Sequence, residues 1–323
     1  MALLILFFLS LGGWAAPRAA CWEADGGRWC AGLEGAKLHL GRVTAAGIED
    51  AGAIPADGLT TIAAAPIGLL GARGTALLRL DLPAKRWVEL GALPAPILQL
   101  LPGDGGAMAL TGVAGHPVPA ESAVWWVRWT PAFAAARVEA IGDNDHPWQL
   151  WWATVDGERR LAAAAHRATY YARFPHHCMF LYAWQDGKAT PRWLGSRLSR
   201  PYRDAAHADL RADGRTRLIA LEETRDGGLG VSVYAPAQFG YTGEWRTEAL
   251  PGLERLAARG SAVLCLGKDD AGKARAWRLR ATDDGYQLAL LPEAPPSLDV
   301  ITTIDDARLA GWWEGAWHLF TAP

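Results

Sequence analysis

Helical periodicity is almost absent from this sequence. Few stretches repeat apolar residues at helical spacing; what recurs is short apolar or alternating runs broken by Gly, Pro and Asp-Gly, the all-β pattern. Excess charge is also missing: the net charge is −2, which excludes bulk attraction to nucleic acid or to an anionic membrane surface. There are only four cysteines and no Cys-x-x-Cys pair, so a cysteine-based zinc site has no support. No nucleophile elbow, phosphate-cradling glycine loop, His-Glu-x-x-His or dinucleotide fingerprint occurs. Paired carboxylates for glycoside cleavage have no identifying spacing.

What is present is a unit written twice between His146 and Leu250. Each copy opens on a proline (Pro147, Pro201) and runs through an apolar segment to Asp-Gly (Asp156-Gly157, Asp213-Gly214). A second apolar segment follows (Leu161–Ala165, Leu218–Leu221), then one ending in tyrosine (Tyr182, Tyr234) and one carrying tryptophan (Trp193, Trp245). Tyr182 to Tyr234 and Trp193 to Trp245 are equal steps along the chain. Four short strands repeated at about 40–50 residues is the pattern of propeller blades.

The remaining chain divides the same way, into 21–56, 57–95 and 96–145 before the pair and 251–296 and 297–323 after it. The expectation is an all-β β-propeller of four-stranded blades, seven in number, with six as the other count. The first unit lacks a clear inner strand and the last lacks an outer one. The 323 residues are read as one domain, since a propeller closes only with all its blades. The 17 tryptophans are expected to fill gaps between blades. One ring of Trp151-Trp152 and one of Trp312-Trp313 would alternatively face solvent and stack on sugar.

The N-terminus carries an uncharged apolar run, Ala2 to Leu11, followed by Gly12-Gly13-Trp14-Ala15-Ala16. It is shorter than the ~20 residues a bilayer span needs and fits the apolar core of a secretory signal. Residues 1–20 are therefore expected to be a signal peptide and 21–323 the propeller, placed in the periplasm or outside the cell. Arg18 stands three before Cys21, where a lipoprotein signal has an aliphatic residue, which argues against lipid anchoring. Cys21 and Cys30 flank the turn sequence Asp25-Gly26-Gly27 and are expected to pair as a disulfide across a hairpin. Cys178 and Cys265 fall in strands of different blades, as small buried apolar residues.

Units four and five resemble the FG-GAP/VCBS repeat family, the integrin-alpha-like propellers. The run from Ala208 through Asp209, Arg211, Asp213-Gly214 to Leu218–Leu221 is similar to that family's Asp-x-Asp-x-Asp-Gly and apolar strand; Ala153–Leu161 is a weaker match. The resemblance covers about a third of the chain and speaks to fold rather than activity. It implies calcium at Asp209 and Asp213, but Arg211 holds the middle ligand position and Arg217 a later acidic one. The competing reading is an Asp-Gly turn capping its own backbone, with no cofactor.

The most site-like segment is His166–His177, a long loop where unit five has a tight turn. Arg167, Tyr170, Tyr171, Arg173, His176 and His177, with Arg197, Arg200 and Arg203 downstream, form the candidate ligand surface. Guanidinium forks beside aromatic rings suit an anionic group or an acidic sugar. His176 and His177, adjacent on a strand, point to opposite faces and are not expected to share one metal ion. His207 and Asp209, two apart, share a face and are weighed as a catalytic contact against a structural hydrogen bond. The function expected is an exported, non-catalytic binding or scaffolding module of the cell envelope, with an envelope protein or an anionic or polysaccharide ligand as partner. The alternative is a propeller-fold hydrolase or lyase acting on extracellular polysaccharide.

Overall fold

The chain turns on two-residue corners whose backbone only a few residue types tolerate. Asp25-Gly26 (φ 49° and 69°), Asp156-Gly157 (52° and 77°) and Glu314-Gly315 (52° and 75°) all place two consecutive residues in the left-handed region. That is the type I′ hairpin turn, whose twist matches the strands it joins and which Asp-Gly favours. The computed structural model describes residues 17–321 except 116–117, 171, 186, 196–197, 238–239, 260–261, 292–294, 296–299 and 304–307. Within those, 27 strands assemble into seven antiparallel sheets, each from one continuous stretch of chain. Six sheets have four strands and the seventh has three.

The strand order in every sheet is the order in the sequence, so each sheet is a simple meander. Seven such blades in a ring make a β-propeller. Their inner strands are Ala19–Ala24, Leu59–Ala65, Ile97–Gly103, Gln149–Val155, Tyr202–Ala208, Leu253–Arg259 and Ile301–Thr303. The core lies between the sheets. Leu33, Leu38 and Ile54 of blade 1 pack with Ile62, Leu69 and Leu78 of blade 2, and Met179 and Leu181 of blade 4 pack with Tyr202, Leu218 and Tyr234 of blade 5. Every tryptophan among the described residues is buried or half-buried. Trp151, Trp312 and Trp313 are buried, and half-buried Trp152 lies beneath Arg159, so neither doublet presents an open ring for stacking on sugar.

Polar side chains tie neighbouring inner strands. Gln99 donates to the Leu150 carbonyl (2.8 Å) and accepts from its N–H (2.9 Å), which imitates a peptide unit between blades 3 and 4. Asp204 plays the same part between blades 5 and 6, accepting from Leu256 N–H (3.1 Å) and Arg255 Nε (3.2 Å). Burial holds its carboxyl above the usual range, against the opposing pull of Arg255.

Blades 7 and 1 meet without exchanging a strand among the described residues. Trp312 lies against Gly32, where a Cβ would come within 2.4 Å of the Trp312 Cβ; it stacks on His39 (4.0 Å) and donates to Glu34 (2.9 Å). Trp317 fills the space over Gly41 in the same seam. Cys21 and Cys30 are direct cross-strand partners and form the expected disulfide, bordering this contact with Ala310 and Trp317.

Two boundaries differ from the sequence reading. The first blade does have an inner strand, beginning at Ala19, and Pro17 and Arg18 already bond to Ile62 and Leu33. The outer strand of blade 3 is Ala134–Arg137 rather than Arg137–Ala140. Val138 and Ile141 are instead buried between blades 3 and 4, so their apolar character reflects packing of a connection. Residues 1–16, which carry the apolar run, lie outside the described residues.

Candidate functional site

Antiparallel meanders sort the connections onto two ends of the ring. The end where each inner strand begins (the upper end here) also carries every connection between second and third strands. The lower end carries the first-to-second and third-to-outer turns. Arg167 ends the second strand of blade 4 (Glu158–Arg167), His176 begins the third (His176–Gln185), and Arg200 and Arg203 lie where blade 5 begins. Arg167, Tyr170, Arg173, His176, His177, Arg200 and Arg203 therefore share the upper end. Tyr171 and Arg197 lie outside the described residues.

The 168–175 loop has fixed feet. Arg167 Nη1 donates to Asp145 Oδ1 (2.5 Å), and the Asp145 side chain is only 7% exposed. Arg167 Nε donates to the Ala168 carbonyl (3.1 Å), Thr169 N–H to Ala172 (2.9 Å), and Ala172 is buried. His176 bonds the Phe174 carbonyl through Nδ1 (2.9 Å), while its Nε2 has no partner among the described residues. On this base Tyr170 is 86% and Phe174 58% exposed. A large ring left this open on an anchored loop is a contact group rather than a core group.

His177 belongs to the wall beneath the loop. Its Nδ1 bonds the Tyr202 carbonyl (3.1 Å) and its ring packs on Trp148 (5.0 Å) and, edge-on, on His166 (5.3 Å). Burial first, then His166, lowers its pKa to about 4. His166 and His177 are cross-strand partners, as are Arg167 and His176, so the two adjacent histidines do point apart.

The arginines are not a free cationic patch. Arg167 is held by Asp145, and Arg203 donates from Nε (3.1 Å) and Nη2 (3.0 Å) to Glu223. Arg200 uses its main-chain N–H on Glu222 (3.3 Å). Arg173 is exposed and has no ion pair among the described residues. Sequence reasoning missed Glu222, a buried carboxylate on the second strand of blade 5. It accepts from Tyr234 Oη (2.5 Å) and Ser232 Oγ (2.6 Å) and lies 3.6 Å from Arg246. Arg246 also donates to Ser199, which in turn bonds Tyr234 (2.7 Å). Only the acidic end of Leu218–Glu223 hinted at it, because its partners come from three separate stretches.

The Asp-rich loop lies on the lower end. Asp209 accepts from the N–H groups of Asp213 (3.2 Å) and Gly214 (2.8 Å), and Asp213 accepts from Arg215 N–H (3.0 Å). The Arg217 guanidinium, 4% exposed, contacts Asp213 (2.5 Å), Glu244 (3.4 Å) and Asp209 (4.0 Å). Its hydrogen bond holds the Asp213 carboxyl down to about 2. Three carboxylates thus converge on one tethered cation, and a divalent ion placed there would meet its repulsion. No group of three His, Cys, Asp or Glu residues suited to a metal occurs among the described residues.

His207 does not pair with Asp209, which is committed to its own turn; its Nε2 bonds Tyr241 Oη (2.9 Å). Burial lowers its pKa to about 3. Cys178 and Cys265 are buried, with thiols pushed up to about 12 by burial, the opposite of a reactive cysteine.

Three solved structures share this architecture at low identity. A chain of the Saccharomyces cerevisiae assembly of Dbp5 with Nup159, Gle1, IP6 and ADP is 10% identical, with a TM-score of 0.56, over 95% of this chain and 89% of that one. Sqt1 of S. cerevisiae is 9% identical, with a TM-score of 0.55, over 96% of each chain. A chain of the mitotic checkpoint complex is 9% identical, with a TM-score of 0.62, over 95% of this chain and 90% of that one. No protein-family pattern and no curated protein matches the sequence. At such identities the likeness establishes the propeller fold and nothing of the activity.

Proposed function

We propose that this chain is an exported, non-catalytic β-propeller of the cell envelope that binds a protein partner through the upper end of its ring. The observation that carries the reading is the pair of open rings, Tyr170 and Phe174, on a loop whose feet are fixed, with Arg173 between them. Aromatic and arginine side chains on a pre-organised support are the usual composition of a binding hot spot. A purely anionic ligand is less well served, because Arg167 and Arg203 already face carboxylates. A sugar-stacking platform is less well served because every tryptophan among the described residues is buried or half-buried. The structural neighbours are consistent with the reading, two of them being chains of multi-protein assemblies.

Export is supported by the Cys21–Cys30 disulfide, a bond that persists in oxidising compartments. Gly13 and Ala15 supply small residues for cleavage before Ala16, and Pro17 to Ala20 are already part of the first blade. The FG-GAP/VCBS relationship is retained as a proposal on the Asp213-Gly214 segment alone.

The test is affinity capture from an envelope extract with the mature protein and with a Tyr170→Ala/Phe174→Ala variant of equal melting temperature. The same partner should be captured with an affinity lower by about 30-fold or more in the variant. Equal capture by both proteins, or glycan binding that survives the double substitution, would overturn the proposal.

A further inference from the structure

Half of the protein's eight histidines, His146, His166, His176 and His177, gather beneath the exposed rings of Tyr170 and Phe174. The central hairpin of blade 4 ends on two rungs, His166 opposite His177 and Arg167 opposite His176. The His166 and His177 rings meet edge-on at 5.3 Å, and Trp148 (5.0 Å) and Tyr202 (5.7 Å) close around His177. His176 lies against Phe174, ring to ring at 5.6 Å and through Nδ1 to its carbonyl. His146, where the chain enters blade 4, is near enough for its charge to act on His166.

This cluster is built for neutral imidazole. The carbonyls of Tyr202 and Phe174 accept from Nδ1 of His177 and His176, so a further proton must enter at Nε2. His176 Nε2 is buried with no hydrogen-bond partner among the described residues. The charges that face His177 are of one sign: His166 across the hairpin, His176 beside it, and Arg203 on the inner strand of blade 5. The acids nearby are committed, Asp145 to Arg167 and Glu223 to Arg203. Burial first, then neighbouring histidines, lowers the pKa of both His166 and His177, the latter to about 4. A histidine depressed in the closed rung and ordinary in the open one holds the rung shut above pH 6.5. That hold is lost progressively as pH falls from 6.5 toward 4. The end of a hairpin opens at less cost than the whole fold, so the rung responds before the ring does.

We propose that the His166–His177 rung is an acid-operated release for the Tyr170 and Phe174 contact: proton uptake opens the end of the hairpin and lets the partner go as pH falls from 7 to 5. The inference rests on the protein-partner reading above and adds its regulation. Opening the rung unfixes the feet on which both rings stand, and a contact without its pre-organised support binds weakly.

The opening is read without any partner, by amide hydrogen exchange of the full mature protein. The Thr169 N–H, bonded to the Ala172 carbonyl, is the probe, and the Leu264 N–H, in a central strand of blade 6, reports global unfolding. After correction for the intrinsic pH dependence of exchange, Thr169 protection should fall about 25-fold between pH 7.5 and 5. His177→Asn keeps a donor in the place of Nδ1 but does not titrate, and should hold the fall below about threefold. Should that variant fold poorly, the His177 ring-proton shifts of the native protein decide, with an expected midpoint near 4; a midpoint of 6.5 would overturn the proposal. Unchanged Thr169 protection, an equal fall in His177→Asn, or Thr169 protection no lower than that of Leu264 would also overturn it. Partner captured at pH 7.5 should wash off the native protein at pH 5 and stay on His177→Asn, and retention by the native protein rules out the release. A partner indifferent to Tyr170→Ala/Phe174→Ala removes the binding reading alone, since the Thr169 measurement stands without it.

Discussion

His177 and His207 are neutral side chains in a fold that cannot hydrate their charged forms. Burial depresses both, to about 4 and about 3, from an ordinary value of 6.5. In the unfolded chain they take up protons as pH falls through 6.5, whereas the folded chain does not until about pH 4. The unfolded state therefore binds more protons in that interval, and stability is lost as the solution is acidified. The urea midpoint should fall steadily from pH 7 to pH 4, and His207→Gln should remove about half of the fall if the two residues dominate. Glu222 makes a second prediction at this scale. Glu222→Gln leaves Arg246 facing a neutral amide and disturbs a network with Tyr234 and Ser232, so urea denaturation at pH 7 should show a loss of about 1–3 kcal/mol. Glu222 did not stand out in the sequence, and His177 and His207 stood out for a ligand surface and a catalytic contact rather than for stability, since burial and distant partners, not residue type, set their behaviour.

The strands and hairpins were largely legible because local chemistry dictates them. Asp25-Gly26 and Asp156-Gly157 announce turns that only such residues make cheaply, and alternation at Lys37–Leu40 announces a half-buried strand. The outer strand of blade 3 was misplaced because Val138 has strand character but serves an inter-blade connection. The Asp-rich loop shows the same limit. Its spacing pointed to cation binding, while the placement of Arg217 among the carboxylates follows only from the bend between Asp213 and the next strand. We expect the guanidinium to do a calcium ion's work there. EDTA should leave the melting temperature of the native protein unchanged, and Arg217→Gln should lower it by roughly 5 °C. Added calcium should then recover part of that loss in the variant alone; recovery by calcium in the native protein would contradict the assignment.

At the level of the whole ring, the number of blades was readable from repeat length, but the manner of closure was not, because it depends on residues far apart in the chain. Blades 1 and 7 are joined by Trp312 over Gly32 and Trp317 over Gly41, and the Cys21–Cys30 disulfide, internal to blade 1, borders that contact. Reducing Cys21–Cys30, which are separated by 9 residues, should cost about 2.5 kcal/mol by the loop-entropy argument. Gly32→Ala should cost about 1–3 kcal/mol, since a methyl group there meets the Trp312 side chain. Both are measurable by urea unfolding with and without reductant, and an unchanged midpoint would show that the seam is not where the ring is weakest. The candidate surface was half legible: the 168–175 loop was visible by its length and composition, whereas the carboxylates that claim its neighbouring arginines were not.

Since no strand is lent across that seam among the described residues, each sheet there is a self-contained paragraph of the polypeptide, and the junction of blades 7 and 1 is crossed by side chains where the other six are crossed by the chain itself. Such a molecule has no privileged starting point: a circular permutation would ask only that the seam's side-chain contacts do what a covalent connection does elsewhere. The same modularity lets tandem duplication or deletion of one coding segment add or remove a sheet without orphaning half of another, a freedom denied to rings whose termini interleave.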